Sequence, residues 1–249
     1  MNTIKKIFLT IAFITIFSAS AFAKSGFEFH YNALLGVGVS FPTTSMKDMG
    51  FKKDFSLDGT GLFQIGYMRQ VKEGFGISYL LELGYNISYY SINGKPDFNP
   101  IINDIFGLGD IIGNIFPNDM SVALDFTFYN IQVGLFPKFN FGNFSIGIGG
   151  GIKIPMIGEM SVTATDINVE NTQRLSRVDI ADMFNPPIFG YVKTSLAYSF
   201  YLTEKIALDF GLYLSYDIMQ FINEGGKDEY GGTLNAGIVF GLKFGGKVD

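Results

Sequence analysis

Between Phe75 and Tyr89 every second residue is apolar: Phe75, Ile77, Tyr79, Leu81, Leu83, Tyr85, Ile87 and Tyr89 alternate with Gly76, Ser78, Leu80, Glu82, Gly84, Asn86 and Ser88. A period of two marks a β-strand with one apolar face. Residues of such a strand rise about 3.3 Å each, so with a tilt of about 40° the stretch climbs roughly 35–40 Å, enough to cross the apolar band of a bilayer. Aromatic residues stand at both ends, where a spanning strand meets two interfaces.

Seven other stretches repeat the pattern. Strand one is predicted at Phe27–Phe41, with Phe29, Tyr31, Leu35 and Val37 on one face and Glu28, His30, Asn32 and Gly36 on the other. Strand two covers about Leu57–Val71, and strand three is Phe75–Tyr89. Strand four, Met120–Phe136, alternates through Val122, Leu124, Phe126 and Phe128, then changes phase to Tyr129, Ile131, Val133 and Leu135. A one-residue slip of that kind predicts a β-bulge. Strand five sets Phe144, Ile146, Ile148, Ile152 and Ile154 against Ser145, Gly147, Gly149, Gly151 and Lys153. Strand six opposes Val192, Leu196 and Phe200 to Lys193, Ser195 and Ser199; strand seven opposes Leu208, Phe210, Leu212 and Leu214 to Asp209, Gly211, Ser215 and Asp217; strand eight ends in Ile238, Phe240, Leu242 and Phe244. An even number of antiparallel strands can close on itself with both termini at one end.

The chain begins with Lys5 and Lys6, an apolar run from Ile7 to Phe17, and Ala21-Phe22-Ala23. This reads as a secretory signal peptide, residues 1–23, which leaves residues 24–249 as one barrel domain. Charged residues make up only 16% of the sequence, against about 25% in an ordinary soluble domain, so part of the surface does not face water. After the leader no apolar run approaches the roughly 18 residues of a membrane helix. In lipid a chain without such helices must be a closed barrel, because every backbone polar group needs a partner within the protein. There is no cysteine, hence no disulfide. A net charge of −5 speaks against nucleic acid as a partner.

A soluble eight-stranded barrel shares the alternation, so the outer face needs its own argument. The interior of an eight-stranded barrel is only wide enough to be filled by side chains. It cannot hold the large apolar set, whereas the Gly, Ser and Asn set fits. The apolar face therefore meets lipid. Connections after strands two, four and six are short and those after one, three, five and seven are long, the pattern of periplasmic turns and extracellular loops.

With eight strands, short turns and long loops, the region from Phe27 to Phe244 resembles the small eight-stranded outer-membrane barrels of bacteria, the OmpA transmembrane domain, OmpX and OmpW. The resemblance implies a closed antiparallel up-and-down transmembrane barrel in the outer membrane, in contact with outer-membrane lipids and inserted by the barrel-assembly machinery. That machinery reads a terminal aromatic residue in the family; here Gly245-Gly246-Lys247-Val248-Asp249 follow Phe244 and depart from the pattern.

Catalytic chemistry has little to work with. The one histidine, His30, is expected to sit in the lumen, satisfied by neighbours such as Glu28, and there is no metal-ligand spacing and no phosphate-binding glycine loop. No enzyme activity, metal or cofactor is expected. The inward face carries Glu82, Asp125, Lys153, Lys193, Asp209, Asp217 and Lys243, and opposite signs at matching heights predict ion pairs across the lumen. The connection from Asn93 to Asp119 bears an apolar stripe, Ile101, Ile105, Phe106, Leu108, Ile112, Ile115 and Phe116, suited to capping the mouth or to contact with an apolar ligand. In the next long connection a short helix is expected from Thr172 to Met183. Two roles are compatible with these features. One is a filled barrel serving the envelope or displaying loops to an extracellular ligand or host surface; the other is a narrow, OmpW-like conduit for small or apolar solutes.

Overall fold

The computed structural model describes residues 25–95, 121–164, 169–184, 186–222, 228–245 and 247–248. The leader, residues 1–23, and the apolar stripe from Ile101 to Phe116 lie outside the described residues. The elements are β1 (Gly26–Phe41), α1 (Thr44–Asp48), β2 (Phe51–Lys72), β3 (Phe75–Gly94), β4 (Val122–Phe141), β5 (Phe144–Ala164), β6 (Val169–Leu175), α2 (Arg177–Met183), β7 (Phe189–Tyr201), β8 (Ile206–Ile222) and β9 (Asp228–Phe244). Each strand of the ring pairs antiparallel with its neighbours, β5 pairs with β7, and β9 closes on β1 from Phe29↔Phe244 to Phe41↔Gly232. The ring therefore has eight strands in up-and-down order. β6 stands outside it, paired with the last third of β5 from Gly158↔Leu175 to Ala164↔Val169.

Three connections are tight. At two of them Gly74 and Gly142 take φ values of +71° and +57°, a conformation costly for a residue with a Cβ and well suited to a two-residue hairpin. These turns, the Leu202–Lys205 turn and both ends of the described chain define one end of the barrel, the turn end. The long connections define the other, the loop end.

Burial is inverted relative to a soluble protein. Leu35, Leu135 and Leu212 are 63%, 66% and 59% exposed on the outer wall, while Glu28, Glu82 and Asp217 are 0% exposed inside. Such a wall suits hydrocarbon and not water. Among the described residues no helix is long and apolar enough to cross a membrane, so the strands are the spanning elements.

Four strands run further than their alternation predicts. At the loop end β2 starts at Phe51, β3 reaches Gly94 and β5 reaches Ala164; at the turn end β4 runs on to Phe141. At the loop end the inner faces of these strands bring Phe51, Ile92, Val122 and Ala164 together beneath Met46 of α1 and Met49 just after it, so apolar burial sustains the loop-end ladders above the ring.

The expected bulge is not in β4, which keeps one phase throughout: Phe126, Phe128, Asn130 and Phe136 face inward, Ile131 and Leu135 outward. The register shift lies on β5 instead, where Tyr129 pairs with Ile157 and Asn130 with Pro155, leaving Met156 as the extra residue. Pro155 has no N–H to give to the ladder, which explains the break. Phe126 and Phe128 therefore plug the mouth; they do not meet lipid.

The helix expected over Thr172–Met183 is also shorter. Thr172 to Leu175 complete β6, because the part of β5 above its pairing with β7 has an open edge to fill. The helix begins only after Ser176, whose backbone N–H donates to the Asp179 carboxylate while its hydroxyl accepts from the Asp179 N–H. These hydrogen bonds hold the Asp179 carboxyl below the usual carboxylate range.

Replacing Leu81 or Leu212 by Arg puts a charge on the lipid face, and each variant should lose about 2–4 kcal/mol in reversible unfolding from lipid vesicles. Leucine-to-alanine variants at the same sites should lose clearly less.

Candidate functional site

The lumen is crossed by charge at three levels. Nearest the loop end, Lys153 on β5 extends its Nζ to Asp217 Oδ2 on β8 at 2.7 Å and to Asp58 Oδ2 on β2 at 3.0 Å. Asp58 also accepts from Asn86 Nδ2 at 2.7 Å, and from the Thr60 and Tyr213 hydroxyls at 3.2 and 3.3 Å. One ammonium thus clamps three strands that are not neighbours.

At the middle level Lys193 on β7 meets Glu82 on β3, with Nζ 2.8 and 3.1 Å from the two carboxylate oxygens. Glu82 also accepts from Tyr191 Oη at 2.8 Å and from Gln64 Nε2 at 2.6 Å, and Asn32 Nδ2 donates to Gln64 Oε1. Lys193 also lies 4.6 Å above the Phe136 ring, a cation–π contact. Tyr191 on β7 and Tyr213 on β8 lean over β5 and β9, so that a Cβ on Gly134 of β4 or Gly36 of β1 would fall 2.1 or 2.2 Å from their hydroxyl oxygens. Only glycine fits at these two points.

At the turn end His30 stands between two carboxylates, with Nε2 3.4 Å from Glu28 and Nδ1 3.3 Å from Asp209. Lys243 approaches Glu28 at 3.5 Å, Lys138 approaches Asp209 at 3.8 Å, and the Ser199 hydroxyl donates to Asp209 at 2.6 Å. Below this level Val248 is buried beside Met68 and Gly76.

Above the uppermost level the interior turns apolar. Tyr90, Phe128, Phe184 and Phe189 pack edge to face or tilted, with centroids 5.0–6.4 Å apart, under Ile180 of α2 and beside Met219. The mouth is closed by rings where the middle is closed by charges.

The structure brings some of the expected lumen residues together and keeps others apart. Lys153 and Asp217 meet, but Lys193 pairs with Glu82 and not with Asp217. Asp209 and Lys243 share the lowest level through Glu28 and His30 without touching each other. Asp125 is outside: because β4 keeps one phase, its carboxylate lies on the outer face and accepts from the Tyr89 hydroxyl at 2.7 Å. Asp58, Glu28, His30 and Lys138 complete the network. Asp58 has the same parity as Gln64 on strand two, which was the available signal, whereas Lys138 lies past the predicted end of strand four at Phe136.

Comparison with protein-family models and with curated protein sequences finds no match. Among solved structures the chain is similar to Neisserial surface protein A, at 13% identity and a TM-score of 0.39, covering 89% of this chain and 98% of that one. It is similar to the outer-membrane protease OmpT of Escherichia coli at 10% identity and a TM-score of 0.36, covering 90% and 97%. A third likeness is to Ail, the attachment invasion locus protein of Yersinia pestis, at 12% identity and a TM-score of 0.29, covering 87% and 98%. The architecture is that of a small eight-stranded outer-membrane β-barrel. That statement rests on the closed ring and the inverted burial described above.

For such a barrel the ion pairs set the energetics of the lumen. Removing one partner of a buried pair strands the other's charge, at about 3–5 kcal/mol, whereas removing both sides together costs little. Lys153→Met should destabilise the barrel by that amount in chemical unfolding from vesicles, since Asp58 and Asp217 are left facing each other. The triple variant Lys153→Met, Asp58→Asn, Asp217→Asn should recover most of the loss.

Proposed function

We propose that this chain is a non-conducting, non-enzymatic barrel of the outer membrane, which serves the envelope and presents its loop end to partners outside the cell. Residues 1–23 direct its export, outer-membrane lipids surround it, and the barrel-assembly machinery inserts it. On this reading the turn end faces the periplasm and the loop end faces outward, where an extracellular ligand or a host surface would be met.

One observation carries the reading. Glu28, His30, Asp58, Glu82, Lys138, Lys153, Lys193, Asp209, Asp217 and Lys243 all line the bore, and each is at most 6% exposed. Charges along an aqueous conduit are wetted; these are packed against one another. To pass a solute the barrel would have to part Lys153 from two carboxylates and Lys193 from Glu82, each pair buried and hydrogen-bonded. An eight-stranded ring leaves no second route. The rigid wall and the two short helices packed on the mouth suit a scaffold for binding segments.

Two measurements test this. Purified protein in planar bilayers should give no stable single-channel steps, and steady conductance would overturn the filled-lumen reading. Protease added to intact cells should cut at the loop end and spare Thr203-Glu204-Lys205. Cleavage at that turn would reverse the orientation.

A further inference from the structure

The sheet that rises above the ring ends at β6. Among the described residues nothing pairs with its far edge, and Glu170 to Arg174 are exposed on both faces. Free edges are commonly blunted by charged side chains of one sign, proline, bulges or very short strands, because they otherwise pair with other chains, whereas the two charges of β6, Glu170 and Arg174, are of opposite sign. β6 has seven residues in regular register with β5 and contains neither proline nor glycine. Its sequence, Glu170-Asn171-Thr172-Gln173-Arg174, is also complementary to itself when reversed.

We propose that β6 is a self-recognition edge, which pairs antiparallel with β6 of a second copy of this chain about a two-fold axis at Thr172. In that register Glu170 lies opposite the partner's Arg174, Asn171 opposite the partner's Gln173, and Thr172 opposite its own counterpart. Cross-strand pairs of opposite charge stabilise a sheet and like charges oppose it, so the register is specified twice over by symmetry. A slip of one residue would set Glu170 against glutamine and Arg174 against valine, and both ion pairs would be lost.

The strand behind β6 supports the same pairing. Within one chain Arg174 is the register partner of Glu159, and Glu170 that of Thr163. Across the joined sheet, one face reads Glu159, Arg174, then the partner's Glu170 and the partner's Thr163, with Arg174 between two carboxylates. Among the described residues β6 is the one strand that ends the sheet, and a contact made by one such edge per copy closes at two copies.

Orientation follows from the ladder. The β4–β5 pairing runs on to Val122↔Ala164, so the hairpin continues the barrel wall. The two-fold of an antiparallel pair is perpendicular to the sheet, and a wall standing along the membrane normal puts that axis in the membrane plane. The second barrel is then inverted and lies in a facing membrane: the contact is homotypic and joins two outer membranes. This rests on the loop end facing outward as proposed above, whereas conductance bears only on the lumen.

Charge reversal in full-length protein reconstituted into vesicles provides the test, with vesicle clustering followed by light scattering and folding checked by circular dichroism. Vesicles carrying the unaltered protein should cluster. Glu170→Arg alone and Arg174→Glu alone should each weaken clustering roughly tenfold or more, because one substitution changes two symmetry-related contacts. Vesicles of the first variant mixed with vesicles of the second should cluster again, as should the double variant. The proposal is overturned if the unaltered vesicles stay dispersed, if the single variants cluster as well as the unaltered protein, or if the mixture fails to recover.

Discussion

Lipid offers no hydrogen bonds, and the rest of this structure follows from that fact. A backbone N–H or C=O left open in the hydrocarbon costs several kcal/mol, so a chain without membrane helices must satisfy every ladder within itself. The eight ring strands do so by closing β9 onto β1. Closure at eight strands leaves a bore about as wide as the side chains that point into it, and the inward glycines at Gly36 and Gly134 give Tyr213 and Tyr191 room to lean over β9 and β5.

The second consequence is electrostatic. Side chains inside the ring are cut off from bulk water, so any charge there needs an opposite charge at bonding distance. Lys153 with Asp58 and Asp217, and Lys193 with Glu82, meet at 2.7–3.0 Å, while Glu28, His30, Asp209, Lys138 and Lys243 gather at the lowest level with contacts of 3.3–3.8 Å. Lys153 and Lys193 bridge strands that the ladders keep apart, which ties the wall across its diameter as well as around it. The same packing that holds the barrel fills its bore.

Where the strands leave the bilayer the constraint lifts, and the chain uses the freedom. β2 to β5 continue upward as a sheet whose inner face buries aromatic and aliphatic residues under the two short helices, and among the described residues β6 ends that sheet with an open edge. Such an edge would be intolerable in hydrocarbon. Above the membrane water can satisfy it.

The period-two alternation determined the fold by itself. It named the eight ring strands, put the apolar face toward lipid and separated short turns from long connections, because a strand exposes its two faces to two different solvents and each residue type answers to one of them. Phe126 and Phe128 show where that reasoning ends. They look like lipid-facing residues, but above the charged layers the interior is itself apolar, and composition does not distinguish an apolar lumen from an apolar bilayer. Asp125 was misplaced for the same reason, since the apparent change of phase in strand four reflects a change of surroundings and the true slip lies at Pro155-Met156. Which lysine meets which carboxylate was decided only by the tertiary structure: strand tilt and register set the heights, so Lys193 finds Glu82 while Lys153 finds Asp217 and Asp58. Those distances depend on how the sheet closes, a property of the whole ring that no single strand encodes.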